Sequence, residues 1–219
     1  MGLNTDMASY YARRAAVYEE AVYAKPERQR DLPILRSWLR DTLAGHRVLE
    51  LACGTGYWTA DIAQVSASIF ATDLDATMIA IATSKGLPAD KVRFAIGNAF
   101  DIHVDQTATP FSAVFAGFWW SHVLREDQDR FMQGLRSRVG KDALLMLIDN
   151  VYVEGSSTSI ARTDLQGNTF QIRLLDGERF EILKNFPTDS ALRKRLGAHL
   201  KDIRIQRVEH YWMLTGRLK

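Results

Sequence analysis

Glu50, Gly54, Gly56 and Asp73 are the residues whose types and spacing speak most directly of chemistry. Val48–Thr59 reads VLELACGTGYWT, an apolar run, then two glycines, then a helical pattern. Glycine at such a turn lets the backbone bend sharply and lets a ligand approach closely. The N-terminus of the following helix offers free N–H groups, which suit a carboxylate or a phosphate. Asp73 stands seventeen residues after Gly56, at the end of the next apolar run. An acid there can accept hydrogen bonds from both hydroxyls of a ribose. Dinucleotide sites use G-x-G-x-x-G against a pyrophosphate, but the third glycine would fall at Thr59. Glu50 would also repel phosphates, whereas an aminoacyl tail with an ammonium group suits it. A tight turn that binds nothing is the plain alternative for Gly54 and Gly56.

Further along, Phe118, Trp119 and Trp120 follow a predicted fourth strand, where a parallel sheet opens its ligand crevice. One or two of these rings are expected to wall a pocket and another to pack the core. His122 titrates near neutrality and is a candidate general base; the alternative is a structural bond to a carbonyl or a helix cap. Arg173, Arg179 and Lys184 lie on a predicted hairpin and can clamp an anionic substrate, with Arg173 the best placed.

These residues need a scaffold. The chain has 219 residues, enough for one large α/β unit or a domain plus a cap. Apolar residues make up 47%, too many for a disordered chain. A net charge of +2 without a basic cluster argues against nucleic acid as partner. Cys53 is the only cysteine, which removes a disulfide framework and a multi-cysteine metal site. Neither a signal peptide nor an apolar run of membrane length is read, so a cytoplasmic protein is expected.

Residues 7–24 read as one amphipathic helix and 34–43 as another, with Pro26 and Pro33 around the break. Predicted strands at 47–51, 67–72, 92–96, 111–115 and 143–148 alternate with helices at 57–65, 76–84 and 127–139. That alternation predicts a doubly wound, mostly parallel sheet. Beyond it, 169–175 and 179–183 flank Asp176-Gly177, a strong hairpin signal. A helix at 188–199 and two strands, 203–209 and 211–217, complete the chain. The expected division is a helical lid (1–45), a cofactor core (46–150), a hairpin cap (151–187), and a final helix with a strand pair (188–219).

ELACGTG, ATDLDATMI, GNAFD and FSAVFAGFWW together resemble the successive motifs of class I S-adenosylmethionine-dependent methyltransferases. YYARRAAVYE, FWWSHV and LLDGERFEILK add a narrower likeness to a bacterial subgroup of small-molecule O-methyltransferases, which includes a phosphonate O-methyltransferase of dehydrophos biosynthesis. The resemblance implies a Rossmann-like sheet of seven strands with the last inserted antiparallel, plus an N-terminal lid helix and a β-hairpin cap. It implies S-adenosyl-L-methionine as cofactor, S-adenosyl-L-homocysteine as product and a small molecule as acceptor. Glu50, Ala52, Gly54 and Gly56 would hold the methionine end and Asp73 the ribose. Leu74 and Met78 would pack on the adenine, whose edge Asn98 and Ala99 would meet; Trp58 and Phe100 belong to the same cofactor set. Glycine is common where Ala52 stands, and aspartate where Asn98 stands. The early helix would close over the site, with Tyr11 and Arg14 toward the cofactor carboxylate. Tyr10, Tyr18, Phe118, Trp119 and Arg173 would face the acceptor.

The expected reaction is O-methylation of an acidic or hydroxyl group, achieved mainly by alignment. An ionised acid needs no base; a hydroxyl or an amine would call on His122. A small-molecule N-methyltransferase, a cofactor-binding regulator without turnover and an NAD-dependent oxidoreductase remain the alternatives.

Overall fold

The computed structural model describes residues 2–101 and 110–219. A two-residue strand β1 (Leu3–Asn4) leads into helices α1 (Met7–Arg14), α2 (Tyr18–Tyr23) and α3 (Leu32–Leu43). There follow β2 (Arg47–Leu51), α4 (Tyr57–Val65), β3 (Ser68–Asp73), α5 (Ala76–Ser84), β4 (Val92–Ile96), β5 (Ala113–Gly117), α6 (Gln128–Val139) and β6 (Leu144–Asn150). Next come β7 (Ile160–Thr163), β8 (Thr169–Leu175), β9 (Glu178–Leu183), α7 (Asp189–Leu196), β10 (Leu200–Arg207) and β11 (Tyr211–Leu218).

The main sheet has seven strands in the order β10-β11-β6-β5-β2-β3-β4. Strands β6, β5, β2, β3 and β4 are parallel, and β11 runs against both β6 and β10. Both faces are covered, so the inner strands read as continuous apolar runs whose residues alternate between two cores. Val48, Phe115, Met146 and Ile148 pack on one face with Leu35, Leu39 and Leu43 of α3 and Ile62 of α4. Leu49, Val114, Leu145 and Leu147 pack on the other with Phe131 and Leu135 of α6 and Leu192 of α7. The chain leaves β2 for β3 on one side, while β5 lies on the other. The crevice at that switch point is where an open α/β sheet binds its ligands.

The expected hairpin is part of a second sheet of four strands, β1-β9-β8-β7. Its turn has Asp176 at φ 50° and Gly177 at φ 77°, both left-handed as a two-residue hairpin turn requires. Two flanking strands, β1 and β7, escape sequence reading because two and four residues carry too little periodicity.

The single helix expected over 7–24 is in fact broken by a 3₁₀ turn at Ala15–Val17. The break lets one segment serve two surfaces. Tyr10 on α1 docks on Phe180 of β9, while Tyr23 at the end of α2 stacks on Tyr57 of α4, with ring centroids 3.7 Å apart. The fourth parallel strand begins at Ala113 rather than 111. Ser112 is spent on bonding the Arg47 N–H through its hydroxyl (3.1 Å), before the ladder begins.

Candidate active site

A cavity of about 470 Å³ opens at the switch point. Glu50 forms its floor at the end of β2. Burial pushes its carboxyl up to about 8, with the Asp73 charge adding to the effect. Its Oε2 is buried without a hydrogen-bond partner. The turn after β2 then runs in left-handed backbone, with Ala52 at φ 52°, Gly54 at 56° and Gly56 at 76°. Glycine's frequency at the Ala52 position in the resembling family thus has a conformational cause. Gly56 is not among the lining residues. It starts α4, and a Cβ there would stand 3.0 Å from the Cβ of Ala82 on α5, so it sets helix packing beneath the cavity.

Asp73 ends β3 at the same rim. Its Oδ2 accepts the Gly54 N–H (2.8 Å) and its Oδ1 the Asp75 N–H (2.9 Å), which fixes the carboxylate in place. Burial raises its pKa, opposed by those backbone bonds. Asp75 in turn caps α5 through the N–H groups of Thr77 and Met78. Leu74, Met78, Asn98, Ala99 and Phe100 line the far end. The Asn98 side-chain oxygen accepts the Phe100 N–H (2.9 Å), a local bond beside the place at the adenine edge that the resemblance implies for it.

Trp119 belongs to this end as well, not to the acceptor side as expected, and packs on Phe100 and Phe131. Phe118 explains the change. It sits at φ 58°, a left-handed turn that sends consecutive aromatic rings in different directions. Phe118 turns toward Tyr23, Trp58 and Tyr211, while Trp120 enters the core. Trp58 is held by a bond from its Nε1 to the Tyr23 hydroxyl (3.0 Å).

A second cavity of about 460 Å³ lies between α1, α2, the end of β6 and the four-stranded sheet. Tyr10, Arg14, Tyr18, Phe118 and Arg173 line it. Arg14 is therefore not where the cofactor reading put it. Its Nη1 reaches back one helical turn to the Tyr10 hydroxyl (2.8 Å), which keeps it on the second cavity. Arg173 donates from Nη2 to Gln171 Oε1 (2.7 Å). Lys184 is buried and donates to Ser121 Oγ (2.6 Å) and Asp149 Oδ1 (3.0 Å). Burial lowers its pKa while Asp149 pulls it back up. Arg179, by contrast, is exposed and lines neither cavity.

Tyr11, Tyr18, Phe118 and His122 line both cavities and form the wall between them. His122 Nδ1 bonds the Leu183 carbonyl (2.6 Å), and its Nε2 lies 3.1 Å from the Tyr11 hydroxyl. A carbonyl only accepts, so Nδ1 carries the proton and Nε2 accepts from Tyr11. Burial, then the charges of Lys184 and Arg173, hold the imidazole pKa well below its ordinary value. The ring thus makes the carbonyl bond of the alternative reading. Its free lone pair meets Tyr11 rather than open cavity.

Glu19, from α2, accepts from the Thr55 hydroxyl and from Lys85 Nζ, each at 2.5 Å. Neither this latch nor the cavity residues Lys25, Arg28 and Asn150 was legible in the sequence, because nothing local marks them.

The sequence matches the profile described as Methyltransferase domain over residues 48–142. A structure described as a DhpI–SAH complex is 30% identical, with a TM-score of 0.77, over 96% of this chain and 94% of that one. The chain is a class I S-adenosylmethionine-dependent methyltransferase. A second structure, a DhpI–SAM–HEP complex, is 29% identical with a TM-score of 0.78, over 96% of this chain and 95% of that one. The CcbJ methyltransferase of Streptomyces caelestis shares the fold at 17% identity, with a TM-score of 0.68 over 95% and 97% of the two chains. No curated protein sequence matches significantly. Among the described residues, no helix is long and apolar enough to cross a membrane, and no cluster of three or more His, Cys, Asp and Glu could hold a metal.

The first cavity fits the cofactor of this methyltransferase family. The buried, unpartnered Glu50 oxygen matches an ammonium, and the fixed Asp73 carboxylate matches a pair of hydroxyls.

Proposed function

We propose that this methyltransferase acts on an anionic oxygen of a small acid. The observation that carries the reading is the charge of the second cavity: five cationic side chains line it, Arg14, Lys25, Arg28, Arg173 and Lys184, and no carboxylate does among the described residues. An amine acceptor would have to enter this field as a cation, against it.

In the first cavity, Glu50 would hold the cofactor ammonium, Asp73 the ribose, and Leu74, Met78 and Phe100 the base. Bound there, S-adenosylmethionine would supply a sulfonium-activated methyl for in-line transfer to an oxygen nucleophile, with S-adenosylhomocysteine as the leaving group. The chain's own work is alignment and desolvation. Arg173 is the cation best placed to orient the acidic group. Tyr11, Tyr18 and Phe118 close the wall against water, and the His122 acceptor fixes the direction of the Tyr11 O–H. An ionised acid needs no base, which agrees with an imidazole whose lone pair is already engaged. Opposite charges approach from the two cavities and neutralise as the methyl moves; a dry wall favours such a change over one that creates charge.

Incubation with methyl-labelled S-adenosylmethionine and a panel of small carboxylates, phosphonates, phenols and amines tests this directly. Methyl esters of the acids are expected in the mass spectrum. Methylation confined to the amines or phenols would overturn the reading.

A further inference from the structure

The second cavity holds more positive charge than one acidic group can use. Lys184 is paired with Asp149, but Arg14, Lys25, Arg28 and Arg173 make no ion pair among the described residues. These four fall into two groups. Arg173 projects from the cap sheet, and its guanidinium carbon lies 6.0 Å from the Tyr10 ring that Arg14 also covers. Arg28 lies elsewhere, with its guanidinium carbon 5.8 Å from the ring of Tyr211. Tyr211 is the ladder partner of Asn150 at the end of β6, so Arg28 and Asn150 lie toward the same end of the main sheet and line the same cavity.

Each group contains donors with nothing to bond. Arg173 Nε on one side, and Arg28 Nε and Asn150 Nδ2 on the other, are buried without partners. Buried polar atoms find partners in the great majority of cases, and leaving one unmet costs about 1–3 kcal/mol. All three of these atoms can only donate. Burial, and then the Arg28 charge, lowers the pKa of Lys25, against a smaller opposing pull from the Glu27 carboxylate.

We propose that Arg28, Asn150 and Lys25 form a second anion subsite, which takes a second acidic group of the acceptor, so that the acceptor is a small diacid bridging the cap and the main sheet. This rests on the anionic-acceptor reading above. Carboxylate and phosphonate share the chemistry the donors recognise, and a matched series separates them.

The experiment is calorimetric titration of the protein saturated with S-adenosylhomocysteine. Butyrate is compared with succinate, propylphosphonate with 3-phosphonopropionate, and glutarate and adipate extend the spacing. At least one diacid should bind tenfold or more tightly than its monoacid. Arg28→Ala should bring that ratio to within threefold, and Asn150→Ala should lower it in part. An unchanged thermal midpoint and S-adenosylhomocysteine affinity show that a variant is folded; if Arg28→Ala is not, Lys25→Ala and Asn150→Ala read the same ratio. A ratio near one throughout the series, or one that survives the substitutions, overturns the subsite alone. Failure of every monoacid and diacid to bind overturns the anionic-acceptor reading and the subsite with it.

Discussion

The two cavities share a wall but differ in how they are built and in the sign of their charge. The first takes Glu50, Ala52, Gly54, Asp73 and Asp75 from two consecutive strand-to-helix turns and is acidic. The second draws on α1, α2, the end of β6 and the cap sheet, and is basic. One strand edge thus gathers a cationic donor on one side, and on the other a field suited to an anionic acceptor. The difference teaches where each specificity resides. On the proposed assignment, the cofactor would be read by backbone geometry in contiguous sequence, and the acceptor by side chains brought together only by the fold.

The sharpest way to break this division is at Glu50. Glu50→Gln should weaken S-adenosylmethionine binding by about 10–100-fold, the loss expected for a charge-assisted bond of about 1.5–3 kcal/mol. Calorimetry measures it. Acidity adds a second signature. Burial pushes the Glu50 carboxyl up to about 8, from its ordinary 4.5. Between those values the folded protein holds a proton that the unfolded chain has released. The stability this group confers is therefore full below pH 4.5 and is lost as pH rises through about 8. Cofactor binding selects the carboxylate, so affinity should rise toward pH 8 by up to about tenfold per unit. Titrations at pH 7 in buffers of different ionisation enthalpy should show about one proton released, and Glu50→Gln should abolish that release. A flat pH profile would show that the ammonium is held elsewhere.

Arg173→Ala makes the opposite cut. Loss of its bond to an acidic group should raise the acceptor KM by about tenfold or more. The cofactor dissociation constant should stay within threefold. Equal damage to both ligands would mean that the cavities are not separable.

What could be read in advance divides along the same line. The turn from Glu50 to Gly56 and the acid at Asp73 lie within one stretch, and strand alternation gives the parallel sheet around them. Lys25 and Arg28 sit on one short 3₁₀ turn after α2 and Asn150 ends β6, two unremarkable segments that only the fold brings to one cavity. Arg14 shows the intermediate case. Helical spacing put it on one face with Tyr11, but the 3₁₀ break after it and the bond to Tyr10 direct it to the second cavity. Trp119 lines the first cavity for a reason no periodicity carries, the left-handed turn at Phe118.

Helix α2 supplies a smaller effect. Glu19 joins α2 to Thr55 of the cofactor turn and to Lys85. Its carboxylate is about one-third exposed (37%), so the ion pair contributes no more than about 1 kcal/mol. Glu19→Ala should speed cofactor dissociation by about two- to fivefold in a stopped-flow displacement, with little change in acceptor KM. A larger effect on the acceptor would assign the latch to the other cavity.

The smallest effect is the most local. Ala52 and Phe118 both hold left-handed backbone, one after β2 and one after β5, on either side of the switch point. The Phe118 ring packs on Tyr23, Trp58 and Tyr211, so its strain is offset by contacts that a smaller residue would lose. Ala52 has only a methyl group. An L-residue there costs about 1–2 kcal/mol, and glycine returns about 0.4–1 kcal/mol of that through the freer unfolded chain. Ala52→Gly should therefore raise the thermal midpoint by about 1–4 °C and leave cofactor affinity within twofold. A lowered midpoint would show that the methyl group packs to an extent that outweighs its strain. The turn would then owe its shape to side-chain contact, as the acceptor cavity does, rather than to the backbone alone.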